Sequence, residues 1–64
     1  MAEWKKEARR LAKDFCISKY EIQRIFRRVE GLYSQREIPK YYEGNRNEFL
    51  YDKAQREIVN IAFA

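Results

Sequence analysis

The stretch "AKDFCISKYEIQRIFRR", residues 12–28, decides the fold because two helical patterns meet in it across a very short link. Ser18 and Glu21 have the spacing of a capping box, in which the serine hydroxyl accepts from the amide of residue 21 while the carboxylate accepts from that of Ser18. A helix is therefore predicted to begin at Ser18. Only Cys16 and Ile17 precede it, so the two helices must meet at a sharp angle, with Cys16 as a buried thiol.

Apolar residues recur with helical period on both sides of this link. Before it, they predict a first helix over residues 3–15, with a stripe formed by Trp4, Ala8, Leu11, Ala12 and Phe15. After it, the inward face of the second helix consists of Ile22, Ile25, Phe26 and Val29. Its outer face is polar and contains Tyr20, Gln23, Arg24, Arg27 and Arg28. Gly31 weakens this helix, which is predicted to end there or to fray toward Arg36.

The segment "IPKYYEGNRNEFLY", residues 38–51, has a different character from the helical stretch before it. It is rich in aromatic residues, and Gly44 and Asn45 stand where a two-residue hairpin turn needs positive φ. This pattern predicts two short strands, over residues 38–42 and 47–51. An irregular loop is the alternative, because Glu43, Asn47 and Glu48 are poor strand formers.

The last stretch, "DKAQREIVNIAFA", returns to helical period, with Asp52 as the predicted N-cap. Its inward side is formed by Ala54, Ile58, Ile61 and Ala62. The fold class predicted from the sequence is therefore α+β and mostly α. We expect one domain over residues 1–64, a small winged helix-turn-helix with the order helix, helix, β-hairpin wing, helix.

Composition limits the function classes further. A chain of 64 residues has a thin core and no room for a second domain. Its apolar runs are too short for a membrane span or a signal peptide, so a cytoplasmic location is expected. With one cysteine and no histidine, neither an internal disulfide nor the usual zinc ligand sets can form, and no cofactor is expected. The absence of a nucleophile motif or phosphate loop indicates that the protein is not an enzyme and has no small-molecule substrate.

The positive charge is concentrated in the first half of the chain. Residues 1–31 hold nine Lys or Arg against five acidic residues, whereas residues 32–64 hold five of each. Such asymmetry points to a polyanionic partner, most often nucleic acid. The alternative is a basic helix face that only keeps the protein solvated.

A tight helix-turn-helix with Gln and Arg outward suits the major groove of B-DNA, where Arg binds guanine and Gln binds adenine. The predicted major-groove residues are Lys19, Tyr20, Gln23, Arg24, Arg27 and Arg28. Phosphate contacts are predicted for Lys5, Lys6, Arg9, Arg10 and Ser18. At the wing, Arg46 is predicted to enter the minor groove, flanked by Asn45 and Asn47. A helical hairpin that serves only in packing is the alternative.

The stretch from Ala8 to Arg27 resembles the helix-turn-helix family, with Ala12 at its small position and Ile17 after its turn. Cys16 departs from the pattern, because the family usually has Gly there. With "IPKYYEGNRNEFLYDKAQREIV" after it, the chain resembles small excisionases of phages and integrative conjugative elements, which are similar to the DNA-binding domain of mercury-resistance-type regulators. This sequence has several extra residues, from Gly31 to Glu37, before Ile38 and Pro39.

The resemblance implies an architectural protein that binds adjacent sites on double-stranded DNA, bends it and helps an integrase to excise a mobile element. An integrase and cooperative self-association on DNA are the implied protein partners. Two alternatives stay open. A phage or plasmid transcriptional repressor would use the same fold, and a helical protein-interaction subunit of a nucleic-acid effector complex would use the basic face differently or not at all.

Overall fold

The computed structural model describes residues 3–64, and two of its three α-helices lie where the apolar period places them. Helix α1 is Glu3–Asp14, helix α2 is Lys19–Tyr33 and helix α3 is Arg46–Ala62, with a 3-10 turn at Lys40–Tyr42. The first predicted helix is confirmed to within one residue, and the second ends shortly after Gly31. None of the helices in residues 3–64 is long and apolar enough to cross a bilayer.

Helix α3 holds the molecule together. It packs against both α1 and α2, which contact each other much less. The buried residues come from all three helices and are Trp4, Ala8, Ala12, Ile22, Ile25, Phe26, Val29, Phe49, Leu50, Ala54 and Ile58. Between α1 and α2 the main ring contact is the edge-to-face pair of Trp4 and Phe26, whose centroids are 5.3 Å apart.

The α1–α2 connection is closed by backbone hydrogen bonds. The amide of Ile17 donates to the Ala12 carbonyl at 3.0 Å, and the amide of Cys16 donates to the Lys13 carbonyl at 3.1 Å. These two bonds form a Schellman motif, which requires a left-handed residue after the helix. Cys16 takes this conformation with φ 57°. The thiol is exposed, so the prediction of a buried cysteine was wrong, because the left-handed backbone directs the side chain to solvent.

Helix α2 begins as predicted. The Ser18 hydroxyl accepts a hydrogen bond from the amide of Glu21 at 3.2 Å, and Ser18 itself has an extended backbone. The cap satisfies one of the amides that the first turn of a helix leaves without a partner.

The predicted β-hairpin wing was wrong, and with it the α+β fold class. Residues 3–64 contain no strand: residues 38–42 end in the 3-10 turn, and residues 47–51 lie inside α3. Asn45, placed in the hairpin turn, has φ −81° and caps α3 by accepting from the amide of Glu48 at 3.0 Å. Asn45 and Glu48 repeat the spacing of Ser18 and Glu21. This spacing favours the start of a helix at residue 46 over a hairpin turn at residues 44–45. Gly44 does have positive φ, at 79°, in a turn that redirects the chain into α3.

Asp52 is not the N-cap of the last helix, because α3 begins at Arg46 and Asp52 lies in its second turn. The carboxylate instead accepts a hydrogen bond of 2.5 Å from the Tyr42 hydroxyl and so ties the 3-10 turn to α3. This hydrogen bond, together with partial burial and the negative charge of Asp52, raises the pKa of Tyr42 above its ordinary value of 10.0. The ring of Tyr42 also packs edge-to-face on Phe49, at 5.2 Å between centroids.

Candidate nucleic-acid interface

The outer face of α2 is open to solvent. The buried residues of α2, which face the core, are Ile22, Ile25, Phe26 and Val29. Because successive helical residues are rotated by about 100°, the opposite face presents Tyr20, Gln23, Arg24 and Arg27. All four are exposed, and 72% of the Tyr20 surface is accessible. This face offers an aromatic ring, an amide and two guanidinium groups to a partner.

The two arginines of this face differ in their surroundings. Arg24 forms a loose ion pair with Glu21 one turn earlier, with 3.7 Å between nitrogen and oxygen. Arg27 has no ion pair within residues 3–64. A solvated pair of this kind stabilises the helix by well under about 1 kcal/mol, so either arginine can exchange water or Glu21 for a stronger acceptor.

Arg28 is directed away from this face. Its guanidinium donates to the Glu57 carboxylate at 2.9 Å and links α2 to α3. To contact DNA as predicted, Arg28 would have to leave this pair. Arg28 is therefore placed to hold the two helices together, and the open face does not depend on it.

Helix α1 contributes a second row of cations. Lys6, Arg10 and Lys13 are exposed and have no ion pair within the described chain, and Arg9 lies over the Phe26 ring at 5.1 Å. Lys5 is different. Its ammonium forms a 3.0 Å ion pair with Glu30 of α2 and lies near the rings of Trp4 and Phe26. Of the predicted phosphate contacts, Lys5, Arg9 and the cap Ser18 already have structural contacts.

A cleft lies where the end of α1 meets the start of α2. Its volume is about 550 Å³, and its lining residues are Arg9, Lys13, Ile17, Lys19, Ile22 and Gln23. Three of these carry positive charge and none carries negative charge. The aliphatic side chains of Ile17 and Ile22 form part of the wall, which lowers the local dielectric and strengthens the field of the cations. We call these six residues the basic cleft.

Lys13 was missed among the predicted site residues. It lies four residues after Arg9, on the same side of α1, and the short connection brings this side to the start of α2. The spacing of Arg9 and Lys13 was a usable signal in the sequence. Its significance depended on the connection, because only a tight turn brings Lys13 beside Lys19.

The predicted wing residues do not join this interface. Arg46 lies at the start of α3, where its guanidinium donates to the carbonyls of Ser34 at 2.6 Å and Arg36 at 3.3 Å. Those carbonyls follow the end of α2, whereas the basic cleft lies at its beginning. A helix of 15 residues separates the two ends by about 20 Å. Asn45 caps α3 and Asn47 is half-buried in its first turn.

Comparison with protein-family models, with curated proteins and with solved structures gave no match. Within residues 3–64, no three side chains of His, Cys, Asp or Glu are grouped so that they could hold a metal ion.

Proposed function

We propose that this protein binds double-stranded DNA, with α2 in the major groove and the basic cleft against the phosphate backbone. The observation that carries the proposal is the position of the cleft. The cleft lining contains three cationic residues and no acidic residue, and it lies beside a solvent-exposed helix face that offers Gln23, Arg24 and Arg27. Phosphate contacts fix the position of a protein on DNA, and Gln and Arg read adenine and guanine at base edges.

The proposal assigns different tasks to the two groups of residues. Lys13 and Lys19 bind phosphates and supply affinity for any duplex, because the charge of the backbone does not depend on sequence. Gln23 and Arg27 supply the preference for one sequence. The Tyr20 ring, at the start of α2, contacts the sugar-phosphate edge or a thymine methyl.

A selection of binding sites from a pool of random duplexes tests the proposal directly. We expect one sequence to be enriched, and we expect the Gln23→Ala variant to lose about 1 to 3 kcal/mol of binding free energy on it while keeping its affinity for random duplex. Gln55→Ala is the matched control, since Gln55 lies on α3 outside the basic cleft. Absence of an enriched sequence would refute sequence-specific binding.

The phosphate contacts have a separate measurement. For Lys13→Ala, the slope of log K against log salt concentration should become shallower by about 1, on specific and random duplex alike. Lys40→Ala, with Lys40 in the 3-10 turn, should leave the slope unchanged. If the wild-type protein shows no salt dependence, nucleic acid is not the partner and the helical subunit of an effector complex becomes the better proposal.

The narrower proposal is an excisionase that bends DNA and directs an integrase toward excision. It is supported by the resemblance of Ala8 to Arg27 to the helix-turn-helix family. The resemblance also included a β-hairpin wing, and the structure of residues 3–64 has no such hairpin, so this part of the resemblance no longer supports the proposal. A circular-permutation mobility assay with adjacent copies of the selected site should show bending by tens of degrees. Unbent DNA together with selected sites that overlap a promoter would favour the repressor.

A further inference from the structure

A second groove, which shares no lining residue with the basic cleft, lies between the 3-10 turn and α3. Its volume is about 500 Å³, and its lining residues are Tyr41, Tyr42, Glu48, Tyr51, Asp52, Gln55 and Arg56. Three tyrosines and two carboxylates thus surround one opening. We call these seven residues the tyrosine groove.

Tyr41 is the least covered large hydrophobic side chain of the described residues, with 82% of its surface accessible. Its one ring contact within residues 3–64 is the edge-to-face pair with Tyr42, at 5.1 Å between centroids. The core does not use this ring. Because most of its surface is accessible, the ring is available to a partner.

Four of the aromatic rings in residues 3–64 have a Lys or Arg side chain over them. Lys5 lies over Trp4, Arg9 over Phe26 and Lys53 over Phe49, at 5.7, 5.1 and 5.6 Å from the ring centroids. Tyr33 has two such cations, Arg36 and Lys53. No Lys or Arg of residues 3–64 lies over Tyr41 in this way. A ring face carries partial negative charge and attracts cations. Tyr41 can therefore accept a cation from a partner, in the way that four other rings of residues 3–64 accept one from this chain.

The charges of the groove favour the same class of ligand. Glu48 has no ion pair within the described residues. Asp52 accepts from Tyr42 and has only a long ion pair with Arg56, at 3.8 Å. Arg56 is the one cation of the lining, so the carboxylates outnumber it. A phosphate group would be repelled here, whereas a guanidinium or ammonium group would gain both carboxylate and ring contacts.

We propose that the tyrosine groove binds an arginine or lysine side chain from a basic segment of a partner protein. The cation lies between the Tyr41 ring and the Glu48 carboxylate, and the alkyl part of its side chain packs against Tyr51. Arg56, which is largely exposed, moves aside or stacks against the incoming group. The groove and the basic cleft then serve two different partners on two different surfaces.

An NMR titration with a capped eight-residue peptide of alternating Arg and Gly tests this proposal. We expect the backbone signals of Tyr41, Tyr42 and Glu48 to shift, and Tyr41→Ala to weaken binding about fivefold. Tyr41→Phe keeps the ring and should bind as the wild type does. Glu48→Gln should weaken binding about threefold, because it removes one charge at constant size.

Controls separate this proposal from the others. Tyr20→Ala removes an exposed tyrosine outside the groove and should not affect peptide binding. Tyr41→Ala should not affect DNA binding. The proposal is overturned if a peptide with Glu in place of Arg binds equally well, or if Tyr41→Ala leaves binding of the Arg peptide unchanged. It is also overturned if the chain alone self-associates in sedimentation and Tyr41→Ala abolishes this, since the occupant is then a second copy. None of these results depends on whether the protein binds DNA.

Discussion

The two connections between the helices are built in different ways. Between α1 and α2, four residues make the turn, and it is closed by backbone bonds to Ala12 and Lys13 and by the Ser18 cap. Between α2 and α3 the chain needs twelve residues, 34–45. Local backbone bonds, such as those from the amides of Tyr42 to Pro39 and of Asn45 to Tyr42, shape its turns, but the bonds that tie it to the helices are made by side chains distant in sequence. Arg46 reaches the carbonyls of Ser34 and Arg36, and Tyr42 reaches Asp52.

This difference shows two ways to set an angle between helices. A turn closed by its own backbone needs only local residues and tolerates changes elsewhere. A long connection held by side chains depends on a few individual groups, because loop closure costs entropy that these contacts must offset. Three substitutions distinguish the two connections, and their expected effects on the free energy of unfolding decrease from Arg46 through Cys16 to Tyr42.

Loss of the Arg46 guanidinium should have the largest effect. Arg46→Met removes both hydrogen bonds to the end of α2 while keeping a long side chain, and we expect it to lower the free energy of unfolding by about 1 to 2 kcal/mol. The measurement is urea denaturation followed by circular dichroism. Arg27→Met is the matched control and should change stability by less than about 0.5 kcal/mol. Equal effects of the two variants would show that the guanidinium contacts of Arg46 contribute nothing.

A change at the short turn should act in the opposite direction. Cys16 has φ 57°, a conformation that costs a residue with a side chain about 1 to 2 kcal/mol. Cys16→Gly removes this strain but adds freedom to the unfolded chain, so we expect a net gain of about 0.5 to 1 kcal/mol. Cys16→Ala keeps the strain and should bring no gain. If alanine stabilises the protein as much as glycine does, the gain comes from removing the thiol and not from relieving backbone strain.

The smallest effect concerns Tyr42, and its dependence on pH appears only at alkaline pH. Its pKa is raised in the folded protein, chiefly by the hydrogen bond to Asp52. The neutral hydroxyl therefore contributes stability that is fully present below about pH 10 and is lost as pH rises through the raised value. Tyr42→Phe lacks this contribution. The difference in stability between wild type and variant should be constant up to about pH 9 and should shrink above about pH 10. A difference that is independent of pH would contradict this hydrogen bond.

The sequence predicted what depends on neighbouring residues. Helices α1 and α2, their buried stripes and the Ser18 cap all follow from period and spacing. The link between α2 and α3 did not follow, because Gly44 and Asn45 suit both a hairpin and the start of a helix. In the structure the link is also tied down by Asp52 and Arg46, whose partners are distant in sequence. The spacing of Asn45 and Glu48 was the one local signal for the helix.

The interface was predictable to a similar extent. The exposed face with Tyr20, Gln23, Arg24 and Arg27 follows from helical geometry. The ion pair of Arg28 with Glu57 could not be read from the sequence, because the two residues are 29 positions apart. The same is true of the tyrosine groove, which brings Tyr41 from one element beside Asp52 and Gln55 of another.

Because α3 contributes most of the packing, it determines when the domain can fold during synthesis. Because α1 and α2 contact each other little, a nascent chain that ends before residue 46 lacks the helix that supplies most of the packing for α1 and α2. Short helices without such partners are marginal in water. We therefore expect the domain to fold only after residues 46–62 have left the ribosome, in one step, with its apolar stripes exposed to chaperones until then.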